Sequence, residues 1–180
     1  MHKKRVAVIP ARAGSKGLVG KNTKILSGIP LYQHAVEQAL AAQVSEVLIS
    51  TDCPVILAAS HPDGVRVVER PAAFAGDTTP MIDVLNHLVT DHIVDDCTIV
   101  LLQPTSPLRR PDHILGALNL FQAGAFDLIV SAVEIDRSIL KAGTLCEGRY
   151  VPINRGDFFN AKLKTLIRVY KHNGAIYIFD

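Results

Sequence analysis

The chain has 180 residues, which is enough for one domain with a substantial hydrophobic core. Hydrophobic residues make up 48% of the sequence and charged residues 20%, a balance typical of globular proteins. The 19 Lys and Arg residues nearly cancel the 17 Asp and Glu residues, so no general basic field indicates a nucleic-acid partner.

Membrane and secretory classes are also disfavoured by the sequence. No apolar run approaches the ~20 residues that span a bilayer, and the charged residues 2–5 lead into a strand too short for the core of a signal peptide. The three cysteines, Cys53, Cys97 and Cys146, are odd in number and far apart. This usage suits a reducing cytoplasm and argues against a disulfide framework or a zinc site. We therefore expect a cytoplasmic protein without a membrane partner.

Short apolar runs alternate with longer helical patterns along most of the chain. Unbroken apolar runs predict strands at 5–9, 46–51, 65–68, 97–102 and 127–133. Apolar residues at helical spacing predict helices at 30–43, 54–61, 78–94 and 111–123. Because unbroken apolar strands are typical of a parallel sheet covered on both faces, the sequence predicts a three-layer α/β domain with a mostly parallel sheet.

The pattern changes at about residue 134. Scattered polar residues, glycine turns and short β-like pieces predict an excursion from the main sheet, a hairpin-containing arm over 134–160 within a single domain of residues 1–180. Strand character returns at 166–170 and 174–179. A chain that ends on a buried strand without a covering helix is unusual. We therefore expect the sequence to be a fragment, or the ordered part of a longer chain.

The loop after the first predicted strand is rich in glycine and cations. Its glycines are Gly14, Gly17 and Gly20, and its cations are Arg12, Lys16 and Lys21. Glycine lets backbone N–H groups turn toward an anion, and the cations neutralise the charge of that anion. The spacing fits neither GxGxxG nor the Walker A motif, whose first glycine would fall at Ser15. The loop is therefore interpreted as a phosphate-binding loop of another kind, with a merely flexible turn as the alternative.

Four predicted loops are expected to meet at one edge of the sheet. In parallel sheets the ligand lies beyond the carboxyl ends of the strands, and the loops there are 10–22, 51–53, 69–79 and 103–110. All four are polar or charged, which would be an odd coincidence for plain connectors.

The second and third of these loops carry ambiguous residues. Arg70 precedes a proline and so has extended backbone, which suits a guanidinium that reaches into a cleft. Asp77, Thr78 or Thr79 could cap the helix that follows. Asp52 could bind a ribose or a metal, or cap the next helix. Capping is the simpler explanation for Asp77, Thr78 and Asp52.

The fourth loop adds a polar ledge. The amide of Gln103 should emerge at the edge of the sheet, Ser106 favours a turn because it precedes a proline, and Arg109 follows. Pro111 and Asp112 can open the next helix. The alternative is a helix-entry loop with a solvent-facing pair of arginines. No HExxH pattern predicts a zinc site, and no Ser–His–Asp or Cys–His arrangement stands out.

The segments ARAGSKGLVGKN, STD, ERPAAFAGDTT, LLQPTSPLR and NGAIYIF follow one another in the chain. In this order they resemble the acylneuraminate cytidylyltransferases, the CMP-sialic acid synthetases and relatives that act on other nine-carbon 2-keto sugar acids. The resemblance runs from about residue 5 to the end of the chain, and the first and fourth segments are the most specific. The CMP-Kdo synthetases are a weaker match, because their first loop lacks the GSKG…KN arrangement.

The resemblance implies a Rossmann-like nucleotidyltransferase fold with a small dimerisation arm, and hence a homodimer. It also implies that the anomeric hydroxyl of the sugar acid attacks the α-phosphate of CTP and releases pyrophosphate. Magnesium would assist, held by an acidic segment that in the family follows NGAIYIF, beyond Asp180.

The same resemblance assigns roles to individual residues. Those around the triphosphate and ribose are Arg12, Ser15, Lys16, Lys21 and Asn22. Those near the cytosine are Arg70 and Thr79. Those that line the sugar site are Gln103, Ser106, Arg109 and Asn173, with Lys141 of the arm reaching the active site of a partner subunit. The predicted catalytic residues among them are Arg12, Lys21 and Gln103.

Two alternatives remain open from the sequence. The acceptor could instead be pseudaminic acid, legionaminic acid or Kdo, within the same reaction. The chain could also be a non-catalytic nucleotide-binding or dimerisation fragment.

Overall fold

The computed structural model describes residues 3–14, 17–93, 96–154, 158, 160–162 and 165–180. The strands are β1 (Lys4–Pro10), β2 (Ile25–Leu26), β3 (Ile29–Pro30), β4 (Glu46–Thr51), β5 (Val65–Glu69), β6 (Cys97–Leu101), β7 (Leu128–Ile135), β8 (Gly143–Cys146), β9 (Arg149–Pro152) and β10 (Val169–Phe179). The helices are α1 (Leu31–Ala41), α2 (Pro54–Leu57), α3 (Met81–His92) and α4 (Pro111–Gln122). Short 3-10 turns cover Lys21–Thr23, Ala72–Phe74 and Arg137–Lys141.

Six strands form the main sheet, in the order β5-β4-β1-β6-β10-β7. The pairs β5–β4, β4–β1 and β1–β6 are parallel, and β10 is antiparallel to β6. In the middle of this parallel part, Val8 of β1 pairs with Leu48 on one side and with Leu101 on the other. The mostly parallel sheet predicted from the apolar strands is confirmed.

The side chains of β1 alternate between two hydrophobic cores. Ala7 and Ile9 pack on one face of the sheet, in a core shared with α1, α2 and α4. Val6 and Val8 point the other way, into a core that contains Leu88 of α3. Because helices cover both faces, the main sheet forms the middle of three layers, as the sequence predicts.

The chain forms two compact units. The larger one comprises Met1–Ser131 with Gly174–Asp180, and the smaller one comprises Ala132–Asn173. The smaller unit contains the antiparallel hairpin of β8 and β9, in which Gly143 pairs with Pro152. A hairpin within 134–160 is therefore present, as the pattern predicts.

The helix predicted over 54–61 is much shorter in the structure. Helix α2 ends at Leu57, and a ring nitrogen of His61 lies 3.1 Å from the carbonyl oxygen of Ile56. The carbonyl oxygen of Ile56 thus contacts the side chain of His61. Pro62, the residue after His61, disfavours a continued helix. The prediction of a helix to residue 61 is wrong for this local reason.

The strand predicted at 166–170 begins later, at Val169, and is continuous with the strand predicted at 174–179. Strand β10 runs from Val169 to Phe179 and passes through Gly174, whose φ is +74°. Glycine adopts this left-handed conformation without a steric penalty, so the chain continues as a strand where the sequence predicts an interruption.

Among the helices that the structure describes, none is long and apolar enough to cross a membrane.

Candidate functional site

A cleft of about 220 Å³ opens where the parallel strands β1, β5 and β6 end. It is lined by Pro10, Arg12, Gly14, Lys21, Asn22, Arg70, Met81, Gln103, Pro104 and Thr105. These residues come from the loops after β1, β5 and β6 and from the start of α3. Three of the four loops predicted to meet at one edge of the sheet thus line one cleft, and the fourth, 51–53, contacts the first loop through Asp52.

The charged side chains of the cleft all have the same sign among the described lining residues. Arg12, Lys21 and Arg70 are cations, and the amides of Asn22 and Gln103 lie with them. Several cations and amide donors around one concave surface attract and orient a polyanion. The cleft is thus suited to a phosphorylated ligand.

Arg12 is held by the loop that follows β5. Its Nη1 lies 2.6 Å from Oδ1 of Asp77 and 3.5 Å from the carbonyl oxygen of Ala75. Helix α3 begins after Pro80, and no side chain caps it. The predicted capping role of Asp77 and Thr78 is therefore wrong. The carboxylate of Asp77 stabilises a cation of the cleft instead.

The first loop is fixed by two side chains. Oδ1 of Asp52 accepts a hydrogen bond of 2.6 Å from the N–H of Ala13, and Nδ2 of the buried Asn22 donates to the carbonyl oxygen of Arg12 at 2.9 Å. The N-cap of α2 is Cys53, again without a side-chain cap, so the predicted capping role of Asp52 is wrong. Both contacts fix the conformation of the backbone that carries Arg12.

Arg70 reaches the cleft from a buried anchor. Its Nε donates to Oγ of Ser50 at 3.0 Å and its Nη2 to the carbonyl oxygen of Ser50 at 2.9 Å, and only 4% of Arg70 is exposed. The pKa of Arg70 lies below its ordinary value, mainly because the guanidinium is buried. The charge of nearby Asp52 raises this pKa, and the charge of Arg12 lowers it further. An arginine stays protonated at neutral pH in such surroundings. Arg70 is therefore a fixed positive charge with a defined orientation.

Gln103 is positioned by its neighbours after β6. The N–H of Ser106 donates to its carbonyl oxygen at 3.3 Å, and so does Nη1 of Arg109, also at 3.3 Å. The same Nη1 donates to the carbonyl oxygen of Ala175 at 2.6 Å. Burial lowers the pKa of Arg109 to about 10. A Cβ added at Gly174 would lie 3.2 Å from Oε1 of Gln103, so strand β10 passes close to this side chain.

The structure brings five of the predicted site residues together, namely Arg12, Lys21, Asn22, Arg70 and Gln103. Thr79, Ser106 and Arg109 lie in the adjoining loops and are not among the described residues that line the cleft. Ser15 and Lys16 fall outside the described residues. Lys141 and Asn173 belong to the smaller unit.

Other residues of the site escape sequence reasoning. Met81 and Thr105 line the cleft, and Ser50 and Asp77 hold two of its cations. Thr105 lies within the LLQPTSPLR segment and could have been found there. A methionine at the start of a helix, a serine inside a buried strand and an acid before a helix carry no such signal, because each is common for unrelated reasons.

Metal ligands are sparse in the part of the chain that the structure describes. It contains no group of three or more His, Cys, Asp or Glu side chains that could hold a metal ion. The carboxylates nearest to the first loop, Asp52 and Asp77, contact the backbone N–H of Ala13 and the guanidinium of Arg12.

Residues 6–147 match the family model described as Cytidylyltransferase. The N-acylneuraminate cytidylyltransferase of Streptococcus agalactiae serotype V is 32% identical over 178 residues, which cover 97% of this chain and 43% of that protein. This chain therefore spans less than half the length of that relative. The CMP-N,N'-diacetyllegionaminic acid synthase of Legionella pneumophila is 34% identical over 183 residues, which cover 96% of this chain and 76% of that protein.

A solved structure is similar over almost the whole chain. It is the structure of CMP:2-keto-3-deoxy-manno-octonic acid synthetase complexed with CTP, with a TM-score of 0.72 and 26% sequence identity. The similarity covers 98% of this chain and 73% of that chain.

Proposed function

The chain belongs to the cytidylyltransferase family, and on that premise we propose that it transfers a cytidylyl group from CTP to a nine-carbon 2-keto sugar acid of the sialic type. The products are a CMP-sugar acid and pyrophosphate. The observation that carries the proposal is the convergence of Arg12, Lys21 and Arg70 on one cleft beside Asn22 and Gln103.

The reaction forms one P–O bond and breaks another. The anomeric oxygen of the sugar acid attacks the α-phosphorus, its proton is lost, and the bond from that phosphorus to the bridging oxygen of pyrophosphate breaks. Negative charge grows on the oxygens of the α-phosphate and of the leaving group, so fixed cations stabilise the transition state. Arg12 and Lys21 are the cations proposed for this role. Arg12 is already oriented by Asp77, which limits the reorganisation needed during the reaction.

The remaining polar residues around the cleft would select the nucleotide. We place the triphosphate and ribose against Asn22 and the cytosine near Arg70 and Thr79. Ser15 and Lys16, which the resemblance also assigns to the triphosphate and ribose, fall outside the described residues. Asn22 and Arg70 support this placement, because both are buried, hydrogen-bonded and part of the cleft lining. A rigid donor with a fixed orientation discriminates between bases better than a mobile one.

The acceptor is proposed to lie toward Gln103 and Ser106. The chain is similar both to an N-acylneuraminate enzyme and to a diacetyllegionaminic acid enzyme. Legionaminic and pseudaminic acids, and Kdo, are therefore the acceptors to compare with sialic acid. A non-catalytic fragment that binds the nucleotide or mediates dimerisation is the remaining alternative.

Magnesium is implied by the resemblance, and the described residues contain no group of three or more His, Cys, Asp or Glu side chains that could hold it. The steps proposed here therefore use only the protein's own cations and amides.

We also propose that the smaller unit mediates a homodimer. Its hairpin exposes Leu145, Val151 and the adjoining Ile153 to 78%, 45% and 69%, an apolar surface that a second copy would cover. The hydroxyl of Tyr150 donates to the carbonyl oxygen of Lys141, which ties the hairpin to the residue proposed to reach the partner's active site. Sedimentation of Leu145→Asp at micromolar concentration should show a monomer where the unaltered protein shows a dimer.

Pyrophosphate release tests the proposed reaction directly. The protein is incubated with CTP, magnesium and each acceptor in turn, and a control with ATP in place of CTP tests the base. We expect release with CTP and at least one nine-carbon acid. CTP binding by calorimetry without release for any acceptor would favour the binding-only alternative.

The role of the cationic loop is tested by Lys21→Ala. Lys21 lines the cleft, whereas Lys24 is exposed on the same 3-10 turn and provides a control with the same change in charge. We expect Lys21→Ala to reduce kcat/KM for CTP about 100-fold and Lys24→Ala to change it less than about twofold. Equal kinetics of both variants would mean that Lys21 does not face the nucleotide.

A further inference from the structure

Arg109 is a buried cation whose guanidinium is only partly used. Its residue is 6% exposed, and Nη1 donates to two backbone carbonyls, those of Gln103 and Ala175. Nε and Nη2 are buried and have no hydrogen-bond partner among the residues that the structure describes. This is an expensive arrangement, because buried charges in proteins are normally paired and their donors satisfied.

The cost indicates that Arg109 does more than fill space. An apolar side chain of similar volume would be as stable or more stable at a buried position. An exposed loop arginine would carry its charge without desolvation, as the adjacent Arg110 does in its pair with Asp112 at 2.8 Å. Unsatisfied buried groups that persist in a fold commonly mark a functional constraint.

The two carbonyls that Arg109 binds flank one side chain of the cleft. Gln103 follows β6 and lines the cleft, and Ala175 lies in β10 beside Gly174, where an added Cβ would be 3.2 Å from Oε1 of Gln103. The guanidinium therefore joins the backbone that carries Gln103 to the part of β10 that passes near the Gln103 amide. The two N–H groups of one guanidinium nitrogen, Nη1, form this bridge.

We propose that Arg109 is a positioning residue that sets the orientation of the Gln103 amide in the cleft, without contacting the substrate itself. This inference rests on the proposed function, in which Gln103 faces the sugar acid. The resemblance implies that Arg109 contacts the sugar directly. In the proposed role, Arg109 acts on the sugar only through Gln103.

A double-mutant cycle separates the indirect role from a direct one. If Arg109 acts through Gln103, Arg109→Met lowers kcat/KM for the sugar acid at least about tenfold in the unaltered protein and less than about twofold when Gln103 is already Ala. Arg109→Lys keeps the charge but binds the two carbonyls less well than arginine does. We expect it to lower kcat/KM for the sugar acid about threefold. Equal losses in both backgrounds would mean that Arg109 contacts the substrate directly, and the positioning role would be rejected.

Arg110→Met is the matched control. It removes the neighbouring arginine, which is exposed and paired with Asp112, and it should leave kcat/KM within about twofold of the unaltered value. If Arg110→Met lowers kcat/KM as much as Arg109→Met does, the loss of any positive charge in this loop explains the effect, and the proposal fails.

An NMR readout keeps the proposal separate from the proposed reaction. The side-chain amide signal of Gln103 is identified by its disappearance in Gln103→Ala. Arg109→Lys should shift that signal, and Arg110→Lys should leave it in place, whether or not any acceptor turns over. An unshifted Gln103 amide in folded Arg109→Lys would overturn the positioning role, whereas absence of turnover in the unaltered protein would overturn only the reaction. If Arg109→Met does not fold, Arg109→Lys provides both the kinetic and the NMR comparison.

Discussion

Oδ1 of Asp77 lies 2.6 Å from Nη1 of Arg12, and this ion pair joins two loops whose strands are not neighbours. Arg12 follows β1 and Asp77 follows β5, with β4 between them in the sheet. The pair is only partly shielded, since the side chains are 30% and 31% exposed. Asp77 therefore both orients a cation of the cleft and competes with any anionic ligand for it.

Asp77→Asn should separate orientation from competition. The substitution removes a negative charge beside the cleft, so we expect CTP to bind about threefold more tightly at low salt. We also expect kcat to fall, because the neutral amide holds Arg12 less firmly than the carboxylate does. Calorimetry and steady-state kinetics measure the two effects. Asp63→Asn is the control, with the same charge change at an exposed position, and weaker binding of CTP by Asp77→Asn would contradict the competition.

Ser50→Ala should show how strongly the anchor of Arg70 contributes to stability. The hydroxyl of Ser50 accepts from Nε of Arg70 at 3.0 Å inside the protein, and both residues are buried. Its loss leaves a buried charged donor without that partner, which should lower the free energy of unfolding by about 2 kcal/mol. The carbonyl of Ser50 still binds Nη2, so the fold should persist. Urea denaturation measures the loss, and a change below about 0.5 kcal/mol would mean that Arg70 finds another acceptor.

The sequence predicts the sheet and the cleft well because both follow from hydrophobic pattern and strand order. Arg70 and Gln103 directly follow or lie near the ends of strands, so the rule for parallel sheets places them correctly. The partners of the site are a different matter. Asp77 looks like a helix cap in sequence, and its actual partner is 65 positions away, at Arg12. Which of several possible hydrogen bonds a short acid forms depends on the packing of the loops, and local sequence does not encode it.

Gly174→Ala tests the close approach of β10 to Gln103. Any side chain at this position adopts a φ of +74° with strain, and its Cβ would lie 3.2 Å from Oε1 of Gln103. Gly64 has a φ of +81° and open space around it, so Gly64→Ala is a control for the backbone strain alone. We expect each variant to lose about 1 kcal/mol of stability. Only Gly174→Ala should also raise KM for the sugar acid. Identical kinetics of the two variants would show that the added Cβ at position 174 does not displace the Gln103 amide.

Glu46→Gln should change stability in a pH-dependent way. Glu46 is partly buried and is 2.9 Å from both Nζ of Lys4 and Nε of Arg66, so its carboxylate links β1, β4 and β5. Burial raises the pKa of Glu46, but the hydrogen bonds from Lys4 and Arg66 outweigh it and lower the pKa below the ordinary 4.5. The folded state thus binds a proton less readily than the unfolded chain does.

The sign of the Glu46 effect follows from this difference. The stabilisation by the carboxylate is fully present above the unfolded pKa of about 4.5 and is lost as the pH falls through the lower folded pKa. We therefore expect Glu46→Gln to lose about 1 kcal/mol at pH 7, with the loss shrinking below about pH 4.5. Urea denaturation of both proteins between pH 7 and pH 4 measures it. Asp63→Asn should show no comparable pH-dependent difference, and a Glu46→Gln deficit that stays constant to pH 4 would mean that packing, not charge, causes the loss.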